Sequence, residues 1–246
     1  MTAMRTIPTV ATNAYDVFMN TNNDLFINRG PVYDRVDKWI PNATIPIPVM
    51  YVNDACHSLF IDIFENLYCC LGNSHMVVKK LFVDSPNGTT IIAGNGTNGS
   101  TSYMLSSPRG IFLDIKFNLY VADLVNNRIQ LFTFGNLSGT TVAGNGAPGT
   151  IDLFWPTDVA LDADGYLFIV EFYNHRIVGS SANGFRCIVG CTGTSGSASN
   201  QLFSPWSFSF DTSGNIFVTD YFNSRVQKFT LVSNSCGEYP RHLPHK

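Results

Sequence analysis

Residues 108–132 read PRGIFLDIKFNLYVADLVNNRIQLF, and the pattern returns as PTDVALDADGYLFIVEFYNHRIVGS at 156–180 and PWSFSFDTSGNIFVTDYFNSRVQKF at 205–229. Pro108, Pro156 and Pro205 are spaced 48 and 49 residues apart, as are Arg128, Arg176 and Arg225, and Asp114, Asp162 and Asp211. Worn copies lie upstream. In 58–82, Asp62 and Asn66-Leu67-Tyr68 stand 52 residues before Asp114 and Asn118-Leu119-Tyr120. In 16–39, Asn20 takes the aspartate's place 42 residues before Asp62, and Asp34-Arg35-Val36 ends the loop one residue late. A period near fifty in a chain rich in β-formers belongs to propeller blades and not to helical solenoids.

Within a unit, apolar alternation and turn residues mark the strands. Residues 109–114, 118–123 and 128–132 read as three of them, and Thr140 to Gly144 as the fourth. Asp162-Ala163-Asp164-Gly165 and Asp211-Thr212-Ser213-Gly214 suit a type I turn ending in a left-handed residue, because Asp bonds its own backbone and Gly accepts positive φ. Phe117 and Asn118 replace that ending in the first strong copy, so its turn is expected to differ. Ala93-Gly94-Asn95-Gly96 recurs fifty residues on as Ala143-Gly144-Asn145-Gly146, which makes the polar connecting stretches part of the blade plan.

The expected fold is all-β: a single closed β-propeller of four-stranded antiparallel blades, five in number or six. An open last blade would expose strand edges. Residues 5–11 are therefore expected to add its outer strand, with 234–246 left as a tail. Composition agrees, since 45% hydrophobic and 13% aromatic residues with 20 glycines and 12 prolines suit short strands and tight turns.

A net charge of -3 gives no basic field for a phosphate backbone, so nucleic acid is disfavoured. No run approaches eighteen apolar residues, so no membrane span is expected, and a monomer is. The first fifteen residues lack the apolar stretch of a secretory leader. Six cysteines and five Asn-x-Ser/Thr sequons, at Asn42, Asn87, Asn95, Asn98 and Asn136, point the other way, to an oxidising extracellular setting. Together they suggest that the sequence begins short of the natural N-terminus.

Asn118 to Asp123 with Asn126, Arg128 and Ile129 resembles the NHL-repeat family of β-propellers. So do Leu167 to Glu171 with Asn174, Arg176 and Ile177, and Asn215 to Asp220 with Asn223, Arg225 and Val226. The resemblance covers five units and implies a propeller; members of the family commonly close with six blades. It also implies a recruiting module, as in the rings attached to ubiquitin ligases, although no RING or B-box zinc segment is present here.

Asp123 with Arg128, Glu171 with Arg176 and Asp220 with Arg225 each flank a hairpin loop, and they read as structural ion pairs. In 58–82 both places are apolar, Leu71 and Met76, as expected if either charge alone would be left unpaired. Between the charges, Leu124-Val125, Phe172-Tyr173 and Tyr221-Phe222 should project from one face of the disc and are the binding candidates. His175 shares that loop and joins the binding candidates, although a lone loop histidine is usually solvated. The five histidines, His57, His75, His175, His242 and His245, are read as falling in unlike repeat positions. No metal site, cofactor or catalytic triad can be assembled from them. Cys187 and Cys191 are expected to form a disulfide; Cys56 can meet at most one of Cys69 and Cys70, which point to opposite faces of a strand, and Cys236 stays open. The reading is a non-enzymatic extracellular interaction module with a protein or other macromolecular partner. The alternatives are an intracellular ligase-linked domain or a lyase or hydrolase with a metal in its channel.

Overall fold

The computed structural model describes residues 14–30, 33–147 and 149–230. They form five antiparallel sheets arranged as the blades of a propeller. Blade 1 holds β1 (Val17–Met19), β2 (Leu25–Asn28), β3 (Arg35–Trp39) and β4 (Ile47–Tyr51). Blade 2 holds β5 (Cys56–Ile61), β6 (Leu67–Leu71), β7 (Met76–Lys80) and β8 (Thr89–Ala93), and blade 3 holds β9 (Ile111–Leu113), β10 (Leu119–Asp123), β11 (Arg128–Phe132) and β12 (Thr140–Gly144). Blade 4 holds β13 (Pro156–Leu161), β14 (Leu167–Glu171), β15 (Arg176–Ser181) and β16 (Gly184–Val189). Blade 5 has three strands among the described residues, β17 (Pro205–Phe210), β18 (Ile216–Asp220) and β19 (Arg225–Phe229). Residues 5–11, expected to supply its fourth, and the tail 234–246 with Cys236, His242 and His245 lie outside the described residues. Among the described residues no helix is long and apolar enough to cross a membrane.

Apolar side chains fill the space between neighbouring sheets. Phe60 of blade 2 packs on Phe18 of blade 1 at 5.5 Å and on Phe112 of blade 3 at 5.7 Å, and Phe168 of blade 4 meets Phe210 of blade 5 at 5.0 Å. Two disulfides join Cys56 to Cys69 across the inner hairpin of blade 2 and Cys187 to Cys191 beyond blade 4, while Cys70 is free and buried.

The turn between the first two strands is built alike in all five blades. Asp114 Oδ1 accepts the N–H groups of Lys116 and Asn118, as Asp162 does those of Asp164 and Tyr166, and Asp211 those of Ser213 and Asn215. The residue closing each turn has positive φ: Asn23, Glu65, Phe117, Gly165 and Gly214. The turn at Asp114 thus does not differ, contrary to the expectation from its missing glycine. Phe117 adopts φ 61°, with Phe64 stacked on it at 5.8 Å. Asp fixes the turn strongly enough that the last residue follows. Gly144 is a stricter case, because a Cβ there would run into the carbonyl of Asn127.

Asp123 and Arg128 are 2.8 Å apart, Glu171 and Arg176 2.6 Å, and Asp220 and Arg225 2.8 Å. Each carboxylate also accepts an amide from the loop entering its own blade, Ser106 for Asp123, Phe154 for Glu171 and Phe203 for Asp220. Arg128 carries its other donors to the carbonyls of Ser100, Thr101 and Met104. Blade 2 replaces the clamp: beside Leu71 and Met76, Asp54 accepts from Asn73 and from the amides of Ser74 and Ala55. Replacing Asp123 by Leu or Arg128 by Met singly should cost about 3–5 kcal/mol, since each leaves the other charge buried and unpaired. The double variant, which copies the pair of blade 2, should cost at least ~1 kcal/mol less than the sum of the singles. Urea unfolding of the four proteins measures this, and strict additivity would refute the coupling.

Candidate functional site

Pairing of Pro156 with Glu171 and of Pro205 with Asp220 sets the start of each inner strand beside the end of the second strand. The hairpin loops after Asp123, Glu171 and Asp220 therefore share one face of the disc with the mouth of the central channel. At that mouth lies a cavity of about 250 Å³ to which all five blades contribute, its lining extending along blades 1 and 5 to Val17, Phe217, Thr219 and Val226. One equivalent position per blade supplies Tyr15, His57, Arg109, Thr157 and Trp206, and the next supplies Asp16, Ser58, Gly110, Asp158 and Ser207.

The two layers differ in their work. In the second, side chains brace the following blade: Asp16 accepts the amide of Leu59 at 2.8 Å, Ser58 that of Ile111 at 3.4 Å and Asp158 that of Phe208 at 3.2 Å. Gly110 is needed there because a Cβ would collide with the backbone of blade 4 at Thr157 and Asp158. The first layer carries no such repeated bond, and its residue types differ in every blade.

Within that first layer Tyr15 lies against His57, with ring centroids 4.6 Å apart, and Gly72 packs so closely under His57 and Arg109 that any side chain there would collide with both. Both ring nitrogens of His57 and the Nε and Nη1 of Arg109 are buried without a hydrogen-bond partner. Burial, and then the Arg109 charge, push the His57 imidazole down to about 4, against a smaller opposing pull from Asp54. Burial likewise raises the Cys70 thiol nearby, so that cysteine is a packing group and not a nucleophile.

Of the loop residues expected to bind, Leu124 is 3% and Phe172 8% exposed, and both turn inward; they offer no surface. Val125, Tyr173, Tyr221 and Phe222 are exposed. In blade 5 the equivalent loop residues Tyr221–Asn223 form a turn of 3-10 helix, and Tyr221 is exposed there. Sequence reading missed the aromatics just ahead of the prolines, Phe154, Trp155 and Phe203. Phe154 and Trp155 meet Tyr173 at 4.9 and 4.7 Å, Phe203 meets Phe222 at 5.0 Å, and Trp206 in the channel mouth meets Phe172 at 5.8 Å and Tyr221 at 6.0 Å. The result is one continuous aromatic surface over blades 4 and 5, reaching from the rim into the channel.

His175 is not a solvated loop residue. Its Nδ1 accepts the amide of Ser204 at 3.1 Å, as His75 Nδ1 accepts that of Ser107 at 3.0 Å and Asn127 Oδ1 that of Trp155 at 2.9 Å. His75, Asn127 and His175 occupy one repeat position with φ of 52°, 53° and 52°, which corrects the view that the histidines fall in unlike places. Among the described residues no group of three or more His, Cys, Asp or Glu could hold a metal ion.

His57 gives a pH test. An unfolded histidine protonates near 6.5 while the folded one resists protonation down to about 4. Between those values the unfolded chain binds the proton that the folded chain refuses, so stability should fall as pH is lowered from about 6.5 to about 4. The slope can reach at most about 1.4 kcal/mol per pH unit, and less where the channel is wet. Urea midpoints at pH 7, 6, 5 and 4 should show this decline in the wild type and a flatter profile in His57→Gln; identical profiles would exclude a buried neutral His57.

Residues 204–229 match the sequence model of the NHL repeat. No curated protein matches the chain in sequence. Among solved structures, it is similar to virginiamycin B lyase from Staphylococcus aureus at 10% identity and a TM-score of 0.59, over 92% of this chain and 72% of that one. It is similar to an auxiliary nutrient binding protein from Bacteroides thetaiotaomicron at 15% identity and 0.68, over 91% and 60%, and to a streptogramin B lyase at 12% and 0.60, over 88% and 68%. At these identities the likeness is one of fold. The described residues form a five-bladed β-propeller, and residues 204–229 are an NHL repeat.

Proposed function

We propose that the chain is an extracellular interaction module that acts by binding a protein partner through the loop face of blades 4 and 5, and not by catalysis. The observation that carries this is the pair Tyr221 and Phe222, each 55% exposed on a short ordered turn. Aromatic rings held by their neighbours present a large contact area that needs little further ordering on binding. Contiguous apolar surface of this kind on a soluble protein marks a recognition site.

The distribution of sequons supports the same face. Asn42, Asn87, Asn95, Asn98 and Asn136 are all exposed and all belong to blades 1 to 3, so glycans there would leave blades 4 and 5 bare. Two disulfides in a chain of this size favour an oxidising compartment.

Expression through a secretory route should give protein whose mobility shifts on enzymatic deglycosylation and whose non-reducing peptide map pairs 56 with 69 and 187 with 191. Fully alkylatable cysteines and no glycan would sink the extracellular reading. For the face, Tyr221→Ser with Phe222→Ser should weaken a partner captured by the wild type at least about tenfold while changing unfolding free energy by less than ~1 kcal/mol. A partner held equally well by both proteins would place recognition elsewhere.

A further inference from the structure

We propose that the channel mouth is a binding site for a small organic monocarboxylate, held by Arg109 and walled by Trp206. The site lies beneath the aromatic face but does not depend on a macromolecular partner there.

Among the described residues Arg109 is the one cation lining the cavity. Its Nε and Nη1 are buried and meet no acceptor among the described residues. A guanidinium held this way needs an oxygen pair from outside the chain, and the planar fork of Arg fits a carboxylate with two parallel hydrogen bonds. The acidic neighbours are committed elsewhere: Asp16 to the amides of Val17 and Leu59, Asp158 to those of Val159 and Phe208, and Asp54 to Ala55, Asn73 and Ser74. His57, beside Arg109 and with both nitrogens unpartnered, offers a second donor to the same oxygens.

Charge and size narrow the ligand. One guanidinium balances one negative charge, and Asp16 and Asp158 in the layer below oppose a dianion such as phosphate. At about 250 Å³ the cavity is smaller than pockets for drug-sized molecules, which run ~300–1,000 Å³. Its walls divide into rings, Tyr15, Trp206 and Phe217, and hydroxyls, Ser207, Ser209 and Thr219. A carboxylate on a compact aromatic or apolar body satisfies the guanidinium and covers Trp206 together.

The test titrates the whole protein with acetate, benzoate and phenylacetate, and with benzyl alcohol and inorganic phosphate as controls, read by calorimetry and by tryptophan fluorescence. Benzoate or phenylacetate should bind at least about tenfold more tightly than benzyl alcohol or phosphate. Arg109→Met should abolish that preference and leave the melting temperature of the ligand-free protein equal or higher, since it removes a half-buried guanidinium two of whose nitrogens have no partner. Trp206→Leu should weaken the two aromatic acids while leaving acetate unchanged. No binding of any of the three acids, or unchanged binding by Arg109→Met, would overturn the proposal. An Arg109→Met protein that fails to fold would overturn it too, because the guanidinium would then be a structural partner.

Discussion

The two amides ahead of the inner strand in blades 3, 4 and 5 are the constraint on which the docking of those blades depends. They leave the connecting loop before a ladder exists to receive them, and a buried N–H without an acceptor is costly. The blades solve this in pairs. The first amide goes to the blade's own hairpin, Ser106 to Asp123, Phe154 to Glu171 and Phe203 to Asp220. The second goes to the preceding blade, Ser107 to His75, Trp155 to Asn127 and Ser204 to His175. Each of these three entries is thus pinned between two hairpins by ordinary hydrogen bonds.

Such a device fixes geometry more than it adds stability. Burial holds the Asp123 carboxyl above the usual carboxylate range, even though Asn126, Ser106 and Arg128 all favour the charged form. Removing one partner would be severe, but exchanging the set for apolar side chains is tolerable where another acceptor takes the amides. Blade 2 does this with Leu71, Met76 and Asp54. The clamp therefore serves register, and the apolar contacts between sheets, such as Phe60 against Phe18 and Phe112, supply the bulk of the cohesion.

Much of this was legible in the residues. The spacing of prolines, aspartates and arginines contains the blade, because each marks a backbone need that recurs with the unit: a turn, a strand entry, a hairpin. The equivalence of His75, Asn127 and His175 was equally open to view, at the intervals of 52 and 48 that relate the units, but a histidine read as a ligand or a solvated group hides its use as a backbone acceptor. Burial of Leu124 and Phe172 against exposure of Tyr221 could not be read, since all three hold one sequence position and burial depends on what the neighbouring blade brings against it; Phe172, for one, lies under Trp206 and Phe222 of blade 5. Nor could the aromatic surface, which joins two loops distant in sequence.

Arg109 is where local need and overall plan part company. Arg128 and Arg225 each reach a carboxylate and three carbonyls, so their charge is answered within the chain. Arg109 holds a position that Tyr15, His57, Thr157 and Trp206 fill in the other blades, so the architecture asks for no cation there. A buried charge without partners works against the folded state. Chains are otherwise locally consistent, and exceptions gather where function sets a different requirement. Small or acidic residues recur in the bracing layer, three of them bonded to the following blade, while the layer above differs in every blade, so what distinguishes this propeller from another of the same plan is best sought at the channel mouth and its aromatic rim.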